Sequence, residues 1–295
     1  MKKIVLVMFI ICFNASASLK VSTFNIRNFD KYGEGTNKVE LENIFKDLKS
    51  DIVSVEEIYN NNSFEKFVDN KLTDYKLVLS RCGGGGQQNL GFIYKSDRFD
   101  LLKTDEDSTI SDPGGLVPSY GCGSLRPAMI GFFYDKFTQK KLVAITVHLK
   151  AGSGSRNYAK RAKQYRLLIK MIRSLRMAGH KDILVMGDFN TTGFDSKDVD
   201  YKNFTHLLTQ TGTDTVSKNI SCTSYWSGEN QHDDIEEPST LDHIVYTQNL
   251  LGLKLTDITT GAHCKKAKCQ EVYDSVLGTT YESVSDHCPV SAVFE

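Results

Sequence analysis

The chain has 295 residues, 40% of them hydrophobic and 24% charged, with 36 basic and 36 acidic side chains balancing to zero. That balance excludes any general electrostatic argument for a polyanionic partner. An ordinary apolar fraction with no low-complexity tract or internal repeat leaves one large domain or two small ones as the fits to this length.

Residues 1–17 open with Lys2 and Lys3, continue through the apolar run 4–13 and end in Ala15-Ser16-Ala17, the order of a secretory signal peptide with cleavage after Ala17. The run is shorter than the roughly 20 residues that a membrane-spanning helix needs, and no later stretch is apolar enough. A secreted or periplasmic protein of residues 18–295 is expected, with no membrane association in the mature form. Loss of two lysines leaves it slightly acidic. Cys12 departs with the leader, leaving Cys82, Cys122, Cys222, Cys264, Cys269 and Cys288. An even number in an exported chain reads as disulfides, although sequence does not choose among the pairings. A zinc site at His263, Cys264 and Cys269 fits less well, because export favours oxidation and no second C-x2-C pair completes it.

Runs rich in β-branched and aromatic residues predict strands over 19–25, 52–55, 76–79, 90–94, 128–134, 142–147, 183–186, 241–246 and 290–294. Helical periodicity appears over 39–48 and 157–176, where Tyr158, Ala162, Tyr165, Leu168, Ile172 and Leu175 share a face. The Gly83 to Gly86 run reads as a hairpin loop, since no helix start follows to make it a phosphate cradle. No Pro-, Gly- or Ser-rich linker divides the chain. The expectation is an α/β layered domain with two sheets.

Polar residues recur at the strand ends: Asn25, Glu56 and Glu57, His148, Asp188 and Asn190, Asp242, and Asp286-His287. A site at one edge of a sandwich requires such a pattern. In this order the segments Phe24-Asn25-Ile26-Arg27, Glu56-Glu57-Ile58, Arg126-Pro127, Thr146-Val147-His148-Leu149, Gly187-Asp188-Phe189-Asn190, Leu241-Asp242-His243 and Ser285-Asp286-His287 resemble the endonuclease/exonuclease/phosphatase superfamily, and within it deoxyribonuclease I. The resemblance spans nearly the whole mature chain. It implies a four-layered α/β sandwich, two packed mixed β-sheets flanked by helices.

The resemblance also implies roles. Glu57 is the primary metal ligand, with Asn25 and Asp286 assisting directly or through water, and oxygen ligands of this kind suit Mg²⁺, Mn²⁺ or Ca²⁺. His148 and His287 match the general acid and base, in an order left open; Asp188 and Asp242 match the carboxylates that orient the imidazoles and hold metal or the attacked phosphate, and Asn190, Arg27 and Arg126 match phosphate contacts. Hydrolysis of a phosphodiester needs an activated water, neutralisation of phosphoryl charge and a proton for the leaving oxygen, which these groups supply. Strand alternation implies that Glu56 and Glu57 do not enter the same site.

The shared core does not name a substrate. Arg27 and Arg126 favour a nuclease acting on DNA, with RNA as an alternative, and the protein is expected to be a monomer. A phosphodiesterase or phosphatase acting on lipids or small nucleotides is the second reading. No acid lies between Asp135 and Asp182 while thirteen Lys or Arg do, and Arg156, Lys160, Lys163, Lys170 and Arg173 recur at helical spacing. That stripe is either a track for a polyanion or a solvated helix back. Tyr59 stands where deoxyribonuclease I carries a minor-groove arginine, Gln88 stands near its glutamate partner for the first catalytic histidine, and the Gly83 to Gln87 stretch offers no tyrosine to stack on a sugar.

Overall fold

Strand β1 (Leu19–Asn25) starts the described part of the chain, and α1 (Lys38–Leu48) returns from it to β2 (Ile52–Ile58), which lies parallel to β1. The computed structural model describes residues 18–33, 35–112, 122–228 and 234–295; the leader expected over residues 1–17 lies outside them. Next come α2 (Asn61–Lys71), the antiparallel pair β3 (Tyr75–Leu79) and β4 (Asn89–Lys95), then β5 (Phe99–Asp107), β6 (Ala128–Asp135) and β7 (Lys140–His148). The long α3 (Ser155–Met177) crosses to β8 (Ile183–Asp188), parallel to β7, and α4 (Val199–Thr211) leads to β9 (Thr213–Thr215). The remainder holds β10 (Ser224–Trp226), β11 (Ile235–Ser239), β12 (Asp242–Thr247), β13 (Leu255–Thr260), α5 (Ala262–Ala267), β14 (Val272–Tyr273) and β15 (Val290–Phe294).

Two six-stranded mixed sheets result, in the orders β13-β15-β1-β2-β4-β3 and β5-β6-β7-β8-β12-β9, with a small β10-β11-β14 sheet beside them. Val21, Phe92, Met129, Phe133, Ala144, Met186, Ile244 and Val290 fill the space between the large sheets. Outside the first sheet, Leu41, Phe45, Phe64 and Phe67 of α1 and α2 cover Phe24, Val53 and Val55; outside the second, Tyr165, Leu168, Ile172 and Phe204 of α3 and α4 cover Val143, Ile145 and Val185. The protein is therefore the four-layered α/β sandwich expected. Asn37, Asn60 and Asp198 cap α1, α2 and α4 by accepting from the backbone N–H of Glu40, Ser63 and Asp200.

Disulfides join Cys82 to Cys122, Cys222 to Cys269 and Cys264 to Cys288. They account for all six cysteines of residues 18–295 and close the zinc reading, since Cys264 and Cys269 are both oxidised. Among the described residues no helix is long and apolar enough to cross a membrane.

Candidate active site

Strand direction gathers the polar residues. The C-terminal ends of the parallel pairs β1–β2 and β7–β8 bring Asn25, Glu57, His148 and Asp188 to one edge of the sandwich. Strands β12 and β15 run antiparallel to their neighbours, so residues at their beginnings, Asp242 and His287, arrive at the same edge.

Local backbone then sets each side chain. Gly187 has φ of 136° against β7, where a Cβ would overlap the Val147 carbonyl; only glycine allows β8 to approach and place Asp188 beside His148. A bulge between β2 and β4 falls at residues 56–57, and Glu57 takes φ of 62°. Glu56 turns into the interior, where it accepts from Thr23, Ser54 and Thr146, while Glu57 turns to the edge and accepts from Asn25 Nδ2 at 3.2 Å and the Asn28 N–H at 3.0 Å. The separation of the two carboxyls agrees with the expectation; its cause is the bulge as well as the pleat. Burial pushes Glu56 up to about 8, although the hydroxyl of Ser54 opposes it.

His287 Nδ1 lies 2.8 Å from Asp242 Oδ2 and its Nε2 lies 3.8 Å from Asp188 Oδ2. His148 Nε2 approaches the same Asp188 oxygen at 3.3 Å and Glu57 Oε1 at 3.7 Å. Burial works against charge on His287, but the Asp242 and Asp188 carboxylates outweigh it and hold the imidazole well above its ordinary value. At His148 burial comes first, and Arg126 and His287 add to it, so the ring is held well below. Asp188 is pushed up to about 7 by burial, with His287 opposing and Asp242 reinforcing. Burial and neighbouring charge thus drive the proton affinities of the two histidines in opposite directions.

The oxygens that could hold a cation converge. Asn25 Nδ2 donates to both Glu57 Oε1 and Asp188 Oδ2, at 3.2 and 3.1 Å, so the two carboxylates share one point. Glu57, His148 and Asp188 form one group compatible with a metal ion, and Asp188, Asp242 and His287 a second; buried Asp242 Oδ1 has no hydrogen-bond partner among the described residues. This donor set suits a hard divalent cation. Asn25 Oδ1 instead accepts from the Arg27 N–H, and Asp286 stands outside both groups, 3.9 Å from Arg27 Nε.

The remaining expected residues surround this core. Asn190 donates to Asp188 Oδ2 and the Leu149 carbonyl, so its amide is committed to positioning Asp188. Arg126 is buried, donates from Nη2 to the Leu149 carbonyl and leaves Nε unpartnered among the described residues; burial lowers its affinity for its proton while Glu57 and Asp188 support it. Arg27, about a third exposed, lies at the rim. Two residues escaped the sequence reading. Thr223 Oγ1 accepts from the N–H groups of Leu241 and Asp242, and Ser285 Oγ donates to the Asn25 carbonyl while accepting from the His287 N–H. Nothing in the sequence marked Thr223; Ser285 lay inside a quoted motif without a role.

A sandwich with paired carboxylates, two histidines and buried arginine at one edge defines a phosphoester hydrolase class. The model of the Endonuclease/Exonuclease/phosphatase family matches residues 22–287, and the chain belongs to that family. No curated protein sequence matches it. Among solved structures it is similar to D. rerio TDP2 complexed with single strand DNA product, at 15% identity over 95% of this chain and 99% of that one, with a TM-score of 0.66. It is also similar to the human nocturnin catalytic domain (15% identity, 94% of each chain, TM-score 0.62). The Bacteroides thetaiotaomicron mannosyl-6-phosphatase gives 18% identity over 94% and 99%, with a TM-score of 0.62. Identities this low establish the fold alone.

Proposed function

We propose that the protein is an exported, Mg²⁺-dependent endonuclease that hydrolyses phosphodiester bonds of DNA. The observation that carries this reading is the pair His148 and His287 on either side of Asp188, His287 backed by Asp242 and His148 within reach of Glu57, all at one edge of the sandwich. Pairs of groups whose environments drive their proton affinities apart are what acid and base roles require. His287, fixed by Asp242, holds a proton at Nε2 and donates it to the leaving oxygen. His148, the histidine that burial keeps from holding a second proton at rest, takes the proton of the attacking water at Nε2. Glu57 and Asp188 would hold the cation, which supplies charge neutralisation at the phosphoryl group. Arg126 and Arg27 bind the substrate phosphates, as planar guanidinium groups do well. DNA is favoured over a phosphomonoester because arginines extend outward from the site to the rim, and a structural relative is described with a single strand DNA product. The leader at residues 1–17 and the three disulfides support export.

A plasmid-nicking assay with and without EDTA tests the reading, alongside bis(p-nitrophenyl) phosphate and a sugar phosphate. The unmutated protein should nick DNA only with the cation, and Glu57→Gln should lose at least about 100-fold in turnover, by analogy with a lost electrostatic stabiliser. Cleavage of the sugar phosphate with no nicking would overturn the nuclease assignment; near-normal nicking by a folded Glu57→Gln protein would remove Glu57 from the metal site.

A further inference from the structure

Next to the Glu57 edge lies a second cavity of about 720 Å³, whose walls include Tyr32, Tyr59, Asn60, Asn61, Arg81 and Gln87. Its loops are those that hold the active site. The Phe29 N–H donates to the Glu57 carbonyl, Gln88 Nε2 donates to Asn28 Oδ1, and Tyr59 follows Glu57 by two residues. On the far side Gly84 packs against the backbone of Leu125 and Arg126, and the Cys82–Cys122 disulfide fastens that wall.

Two features of the cavity are open to a ligand. Tyr32 is 78% exposed with φ of 56°, and its ring stands 5.6 Å from that of Tyr59, with Lys31 Nζ 5.2 and 5.7 Å from the two centroids. An aromatic pair held at the surface contributes little to a core and offers a face for stacking. Second, α2 begins here: Asn60 satisfies the N–H groups of Ser63 and Phe64, while those of Asn61 and Asn62 have no acceptor among the described residues. Arg81 is exposed beside them without an ion pair among the described residues, so this end attracts an anion.

We propose that this cavity is a nucleotide subsite, taking the nucleoside next to the cleaved phosphate of a single-stranded DNA substrate. The inference rests on the nuclease reading above. The base stacks on Tyr32 and Tyr59, and its phosphate sits at the start of α2 near Arg81. A base held this way has left its duplex partner, so single strands are cut in preference to duplex.

Tetradeoxynucleotides in which an abasic residue replaces each base in turn test this against the unmutated protein, Tyr32→Ala, Tyr59→Ala and Tyr32→Trp. For the unmutated protein, loss of one particular base should lower kcat/KM roughly tenfold or more. The same loss should cost almost nothing in the alanine variants and keep its cost in Tyr32→Trp, which retains a stacking face. Tyr32 is exposed enough that its replacement leaves folding intact. Uniform kcat/KM for every abasic position, or a base effect that survives both alanine substitutions, would overturn the subsite while the nuclease reading stood. Failure of the folded protein to cut any tetranucleotide or plasmid would overturn the nuclease reading, and the subsite with it.

Discussion

Glu56 and Glu57 are neighbours in sequence with opposite fates, and the difference is set by solvation. Glu57 reaches the edge, where carboxylate charge has amide donors; Glu56 is sealed among Thr23, Ser54 and Thr146, and burial raises it to about 8. An unfolded glutamate ionises near 4.5, so between that pH and about 8 the folded protein keeps a proton that the unfolded chain has released. Folding takes up a proton in this window. The associated stability is fully present below 4.5 and is lost as pH rises through 8. Glu56→Gln keeps a neutral hydrogen-bonding group of the same shape and removes the titration. Its Tm in EDTA should therefore exceed that of the unmutated protein above pH 8, by about 2–4 °C for each kcal/mol relieved, and converge with it near pH 5. The same offset at both pH values would show that the gain has nothing to do with ionisation.

The elements that position the site were legible where hydrophobic patterning was strong. Strands over 19–25, 128–134, 142–147, 183–186 and 290–294 alternate or run apolar because both large sheets are buried against each other, and they appear within a residue or three of their expected bounds. Strands β5 and β13 escaped: each is an edge strand, one side of its ladder is open to water, and Phe99-Asp100 to Glu106-Asp107 carries the charge that such edges tolerate. Helix α2 escaped because its Asn60-Asn61-Asn62 start reads as a loop, although Asn60 is a cap. The bulge that separates Glu56 from Glu57 has no composition signal, and neither does the disulfide pairing. That pairing matters at the site, since Cys288 follows His287, donates its N–H to the Thr223 carbonyl and is tied to Cys264 of α5. Replacing Cys264 and Cys288 together by alanine should cost about 2–4 kcal/mol of stability in denaturant titrations. It should also lower turnover at temperatures where the variant is still folded, because His287 loses the covalent restraint on its neighbour. Unchanged turnover with reduced stability would confine the bridge to a folding role.

At the scale of the whole molecule, zero net charge conceals an uneven distribution. In α3, Arg156, Lys160, Lys163 and Lys170 are exposed and make no ion pair among the described residues, whereas Arg161 of the same helix is buried against Asp200 and Arg173 is bonded to Gln210. The stripe is thus made of its outward members only. Lys150, between His148 and α3, feels burial first and then the positive charges of Lys160 and Arg126, so basic groups continue from beside the site to the start of the helix. If DNA is the substrate, as proposed, a short diester meets the site alone while a long strand also meets these basic side chains, and each phosphate neutralised releases condensed counterion. Reversing Lys160, Lys163 and Lys170 to Glu should therefore raise KM for long DNA severalfold and flatten the fall of activity with salt. kcat/KM for bis(p-nitrophenyl) phosphate, which spans only the metal and histidines, should change far less. Equal losses on both substrates would mean that the fold or the site had been damaged. Salt-insensitive cleavage of long DNA by the unmutated protein would mean that α3 shows its charge to water alone.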